Sequence, residues 1–568
     1  MSVVQVRLVD RRVAAAVPDW LLVTLVAAAV LVVTGIPYSA AYAFTPPGKV
    51  FMGIVLNVPD TAQYLSWARE LSHAWLIEDK LTSESGDPVF FNLFWLVVGR
   101  LASALGLGLA QTLQALRPLA GALYLGAIYW FVGLVGGARS HRWVAFLVIA
   151  TGGGLGWIWV VYKQAAGSLP YPLDLYVSEP NTFLTVMAFP FAAVAGAMIV
   201  AILGLAALAF ERDSLRVALA AGVVALLLGL QHGYDLLIVY AVVGPTALVL
   251  ALRAGFRPRP LVLGAAICVP SVPAAAYLAY ITHESPIWRG VLAQYGNAGV
   301  YTPDPLHLLI LMGLPLVAIV VAGLPRAVGQ GWRGLGRTLR AEPRELLLAV
   351  WLVAGFFLLY IPTDFQIKMF SAWQVPVGIV ATRLVMARFA SGASSSPIAT
   401  ARRLDVVVGL LFVLSVLPVN AYLLVWRTVD LARGEYPYYL GQDEVAAMQW
   451  LDRNSDPSDV VLSSLTIGQY VPSQAGDRAF LAHWAQTLDF YAKRDAVARF
   501  FDAAEPDRSR LKLLTDQRIR YVFVGPAERS IGSYDPSTAS YLRPVFVSPS
   551  VTVYDVVPTS AGRVGASP

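Results

Sequence analysis

Residues 182–210 read TFLTVMAFPFAAVAGAMIVAILGLAALAF, a run of 29 positions without one charged side chain. At ~1.5 Å of rise per residue, about 20 such residues carry a helix through the hydrocarbon of a bilayer. The stretch is therefore a membrane span with length to spare, and residues 20–43 and 406–426 have the same character. The whole chain agrees: of its 568 residues 57% are hydrophobic and 14% charged, against roughly 25% charged in soluble proteins. A single water-soluble domain is excluded, and the fold class is a polytopic α-helical membrane protein.

Apolar segments fall near 20–43, 88–108, 112–135, 141–162, 183–210, 215–231, 234–252, 260–281, 305–325, 345–362, 369–387 and 405–427. Lysine and arginine in short loops stay on the cytoplasmic side. If 88–108 does not cross, the cytoplasmic loops hold Arg139 and Arg142, Arg212 and Arg216, Arg253, Arg257 and Arg259, the cluster from Arg326 to Arg344, and Arg388, Arg402 and Arg403. If it does cross, all of these move outside. The charge bias therefore predicts about eleven transmembrane helices, with 88–108 interfacial on the outer face. Arg100 fits that position, since an arginine at the bilayer centre costs at least about 2.5 kcal/mol.

The net charge of +6 thus records topology and not nucleic-acid binding. Cys268 is the one cysteine, which rules out intramolecular disulfides and thiolate zinc sites. Arg7, Arg11 and Arg12 precede an apolar run longer than the about 7–15 residues of a signal peptide, so an uncleaved first helix is expected.

Residues 1–427 read as the transmembrane domain, with a long outer loop at 44–87. Residues 428–558 are richer in charge, and strand-like runs such as Tyr521-Val522-Phe523-Val524 alternate with helical stretches. That pattern predicts a small C-terminal α/β extracytoplasmic domain, with His483, Trp484 and Thr487 in its core. Residues 559–568, rich in Ser, Gly and Ala, read as a disordered tail. Neither a Walker A nor an HExxH motif is present, so ATP-driven transport and zincin chemistry lack their signatures.

Polar residues that a membrane protein keeps despite their cost are candidates for function. In the first outer loop, 58–70 reads VPDTAQYLSWARE: Asp60 opens a helical pattern that puts Tyr64 on its face, with Arg69 further along. An aspartate there also serves as a helix cap. The second outer loop brings Glu179 and Asn181 to the mouth of the next span, where Asn181 or Thr182 would cap it. A tight turn between two apolar helices, QHGYD at 231–235, needs only its glycine, so His232 and Asp235 are surplus to it. Lys368, in DFQIK at 364–368, lies outside against the charge bias. All four clusters fall on one side of the membrane. Their carboxylates, lysine and histidine suit a substrate bearing a phosphate and a group to be deprotonated.

The order of a first helix, a long outer loop with Asp60, then Pro88-Val89-Phe90-Phe91-Asn92 to Gly99-Arg100-Leu101, Gly106-Leu107-Gly108 and Arg117 resembles the GT-C superfamily of membrane glycosyltransferases. The likeness is to its polyprenyl-phosphate-sugar-dependent group of protein mannosyltransferases and aminoarabinose transferases. The tail, with Gly441-Gln442-Asp443-Glu444 and His483-Trp484, is similar to the outer domain of bacterial proteins of that superfamily. The resemblance implies an inverting transfer of a hexose or pentose from a polyprenyl-phosphate donor to a glycan, lipid or protein acceptor, on the extracytoplasmic face of a bacterial-type plasma membrane. Asp60 sits where the resemblance expects an essential aspartate and would deprotonate or orient the acceptor, while on physical grounds Lys368, His232 or Arg69 would neutralise the leaving phosphate. Glu179 and Asp235 would bind sugar or acceptor hydroxyls, with Tyr64 and Asn181 completing the site. The first outer loop has no Asp-x-Asp or Glu-x-Asp pair and the chain no WWDYG, so a divalent metal is left open. The alternatives are a secondary transporter, a polysaccharide polymerase or ligase, and a non-catalytic envelope assembly protein.

Overall fold

The computed structural model describes residues 18–166, 175, 177–298, 301–390 and 398–557. Arg7, Arg11, Arg12, Tyr171, Asp174, Tyr176 and the tail 559–568 lie outside them. Among the described residues, seven helices are long and apolar enough to cross a membrane: Asp19–Ala43, Leu109–Val135, Pro190–Glu211, Gly233–Arg253, Arg259–Glu284, Pro305–Leu339 and Arg403–Leu431. Arg139–Thr151 and Gly156–Tyr162 make an eighth as a pair bent by 46°, broken at the run Gly152-Gly153-Gly154. Leu215–Gln231, Pro343–Leu358 and Gln374–Ala390 have 17, 16 and 17 residues, about 25 Å each at the α-helical rise.

In lipid, helices associate by close packing of small residues more than by hydrophobicity. Leu109–Val135 and Pro190–Glu211 follow that rule: a Cβ at Gly196 would fall 2.7 Å from the Tyr124 ring, and one at Gly204 2.3 Å from Trp130.

The helix Asp19–Ala43 marks the two ends of the bundle. At its start Asp19 pairs with Arg139 at 2.6 Å. The same end holds Arg344 on the Leu134 carbonyl, Arg383 on Glu345 and the Val135 carbonyl, and Arg253 on the Arg340 and Ala341 carbonyls. At the far end the Ala41 carbonyl accepts the Tyr439 hydroxyl at 2.9 Å. The first outer loop and the C-terminal region gather there.

Val58–His73 and Leu93–Leu105 lie at that end of the bundle. Leu93–Leu105 has 13 residues, about 20 Å of helix against the ~30 Å of hydrocarbon. Asn92 caps it, accepting from the Trp95 N–H at 3.2 Å, and Gly106 ends it at φ 64°, where a Cβ is disfavoured. It packs on Val58–His73 so closely that a Cβ at Gly99 would stand 2.2 Å from the Ala68 carbonyl oxygen. Arg100 donates to the Ser72 and Ala74 carbonyls, which binds its charge to the outer layer.

The C-terminal region carries a five-stranded sheet in the order Arg478–Ala479, Val460–Leu462, Ile519–Val524, Thr552–Val556, Leu542–Val547. The first three strands run parallel and the last two join antiparallel. The first outer loop is woven into this region. Lys49–Phe51 pairs antiparallel with Tyr439–Gly441. At the sheet edge the Ala479 N–H donates to the Lys80 carbonyl at 2.9 Å, Arg478 pairs with Glu78, and Lys493 pairs with Glu84 at 2.7 Å.

Candidate active site

Val58–His73 begins with a proline in its first turn, where the missing N–H costs nothing. Asp60 follows, and the positive end of the helix favours its charge. Tyr64 is four residues on, about 40° around a helix of ~100° per residue, so it shares the face. Its ring stacks on Trp95 at 4.9 Å and meets Phe191 edge-on at 4.7 Å. Asp60 and Tyr64 line a cavity of about 310 Å³, together with Asn57, Glu179, His232, Asp235, Tyr295, Lys368 and Trp484.

Lys368 projects from the short 3₁₀ turn Gln366–Phe370, and its ammonium lies 2.7 Å from Glu179. Burial opposes both charges, but the pair prevails. Glu179 is held below the usual carboxylate range by Lys368, and Lys368 is raised well above the usual lysine value, chiefly by Glu179. A lysine has two further donors for an anion. Across the turn between two spans, His232 Nδ1 lies 2.9 Å from Asp235 Oδ2. Asp235 is fully buried, and its Oδ1 has no hydrogen-bond partner among the described residues. Such an unsatisfied buried acceptor is a place for a substrate hydroxyl.

Asp60 Oδ2 accepts from the Asn57 amide at 2.7 Å, and Oδ1 lies 2.9 Å from His483 Nε2. Burial alone would raise the Asp60 carboxyl. The His483 hydrogen bond, the positive charge of that ring when protonated, the Lys368 charge and the Asn57 amide overcome it and hold the group below its ordinary value. Tyr64 and Tyr295 go the other way, pushed up by burial and the Asp60 carboxylate, so their hydroxyls stay protonated donors.

Six of the residues expected from the sequence thus meet in one cavity: Asp60, Tyr64, Glu179, His232, Asp235 and Lys368. Two do not. Arg69 is nine residues from Asp60, which at ~100° per residue is the opposite face of the helix. There it pairs with Asp452 and donates to the Gln474 carbonyl at 3.2 Å, fastening the helix to the C-terminal region. Asn181 is a buried cap: its Oδ1 accepts from Leu184 N–H at 3.1 Å and its amide donates to Asn420 at 2.7 Å. The sequence reading placed His483 and Trp484 in the core of the C-terminal domain, but His483 reaches Asp60 and Trp484 lines the cavity. Asn57 and Tyr295 were not anticipated at all. Among the described residues, no group of three or more His, Cys, Asp or Glu is placed to hold a metal ion.

No protein-family model and no curated protein sequence matches the chain. Solved structures do. The apo oligosaccharyltransferase of Archaeoglobus fulgidus superposes with a TM-score of 0.53 at 15% identity, over 95% of this chain and 75% of that one. The same enzyme, AglB, in complex with an inhibitory peptide and a dolichol-phosphate gives 0.50 at 14% identity over 88% and 69%. The mycobacterial arabinofuranosyltransferase AftD, in a mutant form, gives 0.50 at 16% identity, covering 95% of this chain and 42% of its own length. The chain shares its fold with these oligosaccharyltransferase and arabinofuranosyltransferase structures.

Proposed function

We propose, with the GT-C fold as premise, that the chain is an inverting glycosyltransferase that moves a sugar from a polyprenyl-phosphate carrier to an acceptor hydroxyl on the extracytoplasmic face of a plasma membrane. The observation that carries this reading is the meeting of Asp60, Glu179, His232, Asp235 and Lys368, from four separate segments, in one cavity. That cavity lies at the end of the bundle away from Arg139, Arg253 and Arg344. The positive-inside rule makes the arginine-rich end cytoplasmic, which puts the cavity and residues 428–558 outside, with eleven helices crossing. The complex of AglB with a dolichol-phosphate supports a lipid phosphate as carrier.

The acceptor oxygen attacks the anomeric carbon as the bond from that carbon to the phosphate oxygen breaks. Asp60, ionised and oriented, takes the acceptor proton. Negative charge grows on the leaving phosphate, and Lys368 meets it with donors not used by Glu179. Asp235 Oδ1 and the tyrosine hydroxyls are free to hold sugar hydroxyls. Acceptor identity, whether glycan, lipid or protein, lies in what enters beside Trp484 and Tyr295.

The test is transfer by the full chain in nanodiscs, using a panel of polyprenyl-phosphate hexoses and pentoses and reading release of polyprenyl phosphate. Asp60→Asn is expected to lower turnover by about 100-fold or more, the usual worth of a general base, in a protein that still folds. Wild-type rates in that variant would overturn the reading.

A further inference from the structure

We propose that His483 is a positioning residue for Asp60, a neutral hydrogen-bond donor that fixes the carboxylate as a base without itself relaying the proton. The inference rests on the reading of Asp60 as the base.

The geometry around the imidazole carries it. Nδ1 accepts from the backbone N–H groups of Ala485 at 3.0 Å and Gln486 at 3.2 Å. A nitrogen that faces two donors presents a lone pair to them, so the ring hydrogen sits on Nε2. Nε2 is the atom 2.9 Å from Asp60 Oδ1. A proton moving from Asp60 into this ring would have to displace a backbone donor at Nδ1, so the ring is a dead end for proton transfer. His232 is wired the opposite way: its Nδ1 is taken by Asp235, and Nε2 has no protein partner among the described residues.

The ring cannot swing aside. It is 2% exposed, and the backbone N–H of His483 donates to the Thr487 hydroxyl at 3.0 Å, which in turn donates to the Leu81 carbonyl. Gln294 and Asn297 bind the carbonyls of Ala485, Thr487 and Trp484 from the side. On the other flank of Asp60, Asn57 donates to Oδ2 from a left-handed backbone, φ 50°, a conformation asparagine tolerates better than most side chains. Two neutral donors therefore set the plane of the carboxylate and favour its ionised form. They leave it a stronger base than a cation in hydrogen-bond contact would. The other charged and titratable groups facing Asp60 are Lys368 with its partner Glu179, and the hydroxyls of Tyr64 and Tyr295. His232, Asp235 and Tyr234 complete the ring of groups around them.

The experiment has an arm that needs no turnover. The chain contains six histidines, so ¹⁵N-histidine solid-state NMR of the full protein in lipid, with His483→Gln to assign the signal, reads the tautomer directly. A hydrogen on Nε2 and a bare Nδ1 at pH 7 are expected, with a changed Nε2 signal in Asp60→Asn. A hydrogen on Nδ1, or a signal indifferent to Asp60→Asn, would overturn the proposal. In the kinetic arm, His483→Ala is expected to lower kcat about 10- to 100-fold, the range for a hydrogen bond to a charged group, with little change in KM. Removing the donor raises the Asp60 pKa, so the acid limb of the rate profile moves to higher pH. His483→Gln, whose side-chain amide can donate from a similar position, should restore most of the rate and the limb. An unmoved acid limb in His483→Ala, beside an inactive Asp60→Asn, sinks the inference and spares the function. An active Asp60→Asn sinks the function, and the NMR arm still decides the contact.

Discussion

Lys368 and Glu179 are each largely enclosed, with side chains 15% and 11% exposed, so neither charge is tolerable without the other. Removing one partner of a buried pair costs about 3–5 kcal/mol, whereas replacing both with neutral groups is often nearly neutral. Lys368→Met alone is therefore expected to lower the melting temperature sharply. Lys368→Met with Glu179→Gln should recover most of that stability and still lack transfer, because the phosphate has lost its cation. Full activity in the stable double variant would show the pair to be only a fastener. At this scale the sequence was informative where a polar side chain is expensive: Glu179, His232, Asp235 and Lys368 stand at the ends of apolar helices, and their cost singled them out. His483 sends no such signal. It lies in a charged, soluble-looking stretch where a histidine is cheap, 423 residues from Asp60, and nothing local says which loop it meets. Arg69 misled for a different reason, since proximity in sequence hid a half-turn of helix phase.

Among the elements, the crossing of Leu93–Leu105 over Val58–His73 holds Asp60 in place. Gly99 is the point of contact, and an added methyl would strike the Ala68 carbonyl. Gly99→Ala is expected to cost about 1–3 kcal/mol, the range for overpacking, and to shift the helix that carries Asp60. Activity should then fall at temperatures where the protein remains folded, which thermal unfolding and transfer measured together will separate. An unchanged melting temperature and rate would mean that the two helices part easily. The apolar character of 88–108 was plain in the sequence; its true length was not. Asn92 and Gly106 trim the helix to 13 residues, and cap chemistry of that kind is visible only once the start of the helix is known.

For the molecule as a whole, the expected arrangement places residues 44–87 and 428–558 together outside and 326–344 inside. In a chain with Cys268 replaced by alanine, cysteine at exposed Ser533 should react with an impermeant thiol reagent on intact cells, and cysteine at exposed Gln330 only after permeabilisation. Equal labelling of both on intact cells would refute the topology. The expectation of sidedness comes from the charge bias alone, because arginine placement is a thermodynamic signal read without knowing any contact. The mutual grip of the first outer loop and the C-terminal sheet was not legible, since strand pairing across hundreds of residues leaves no periodicity in either partner.

That grip also sets a clock. Lys49 reaches the Gly434 carbonyl across 385 residues, and chains are synthesised at about 5–20 residues per second. Residues 44–87 therefore wait about 20–80 s after their own synthesis before the strand that pairs with them has been made. During that interval Lys49–Phe51 is an open edge and Asp60 lacks its histidine. A ribosome that stalls before Tyr439 leaves a membrane-inserted chain with Lys49–Phe51 unpaired and Asp60 without His483.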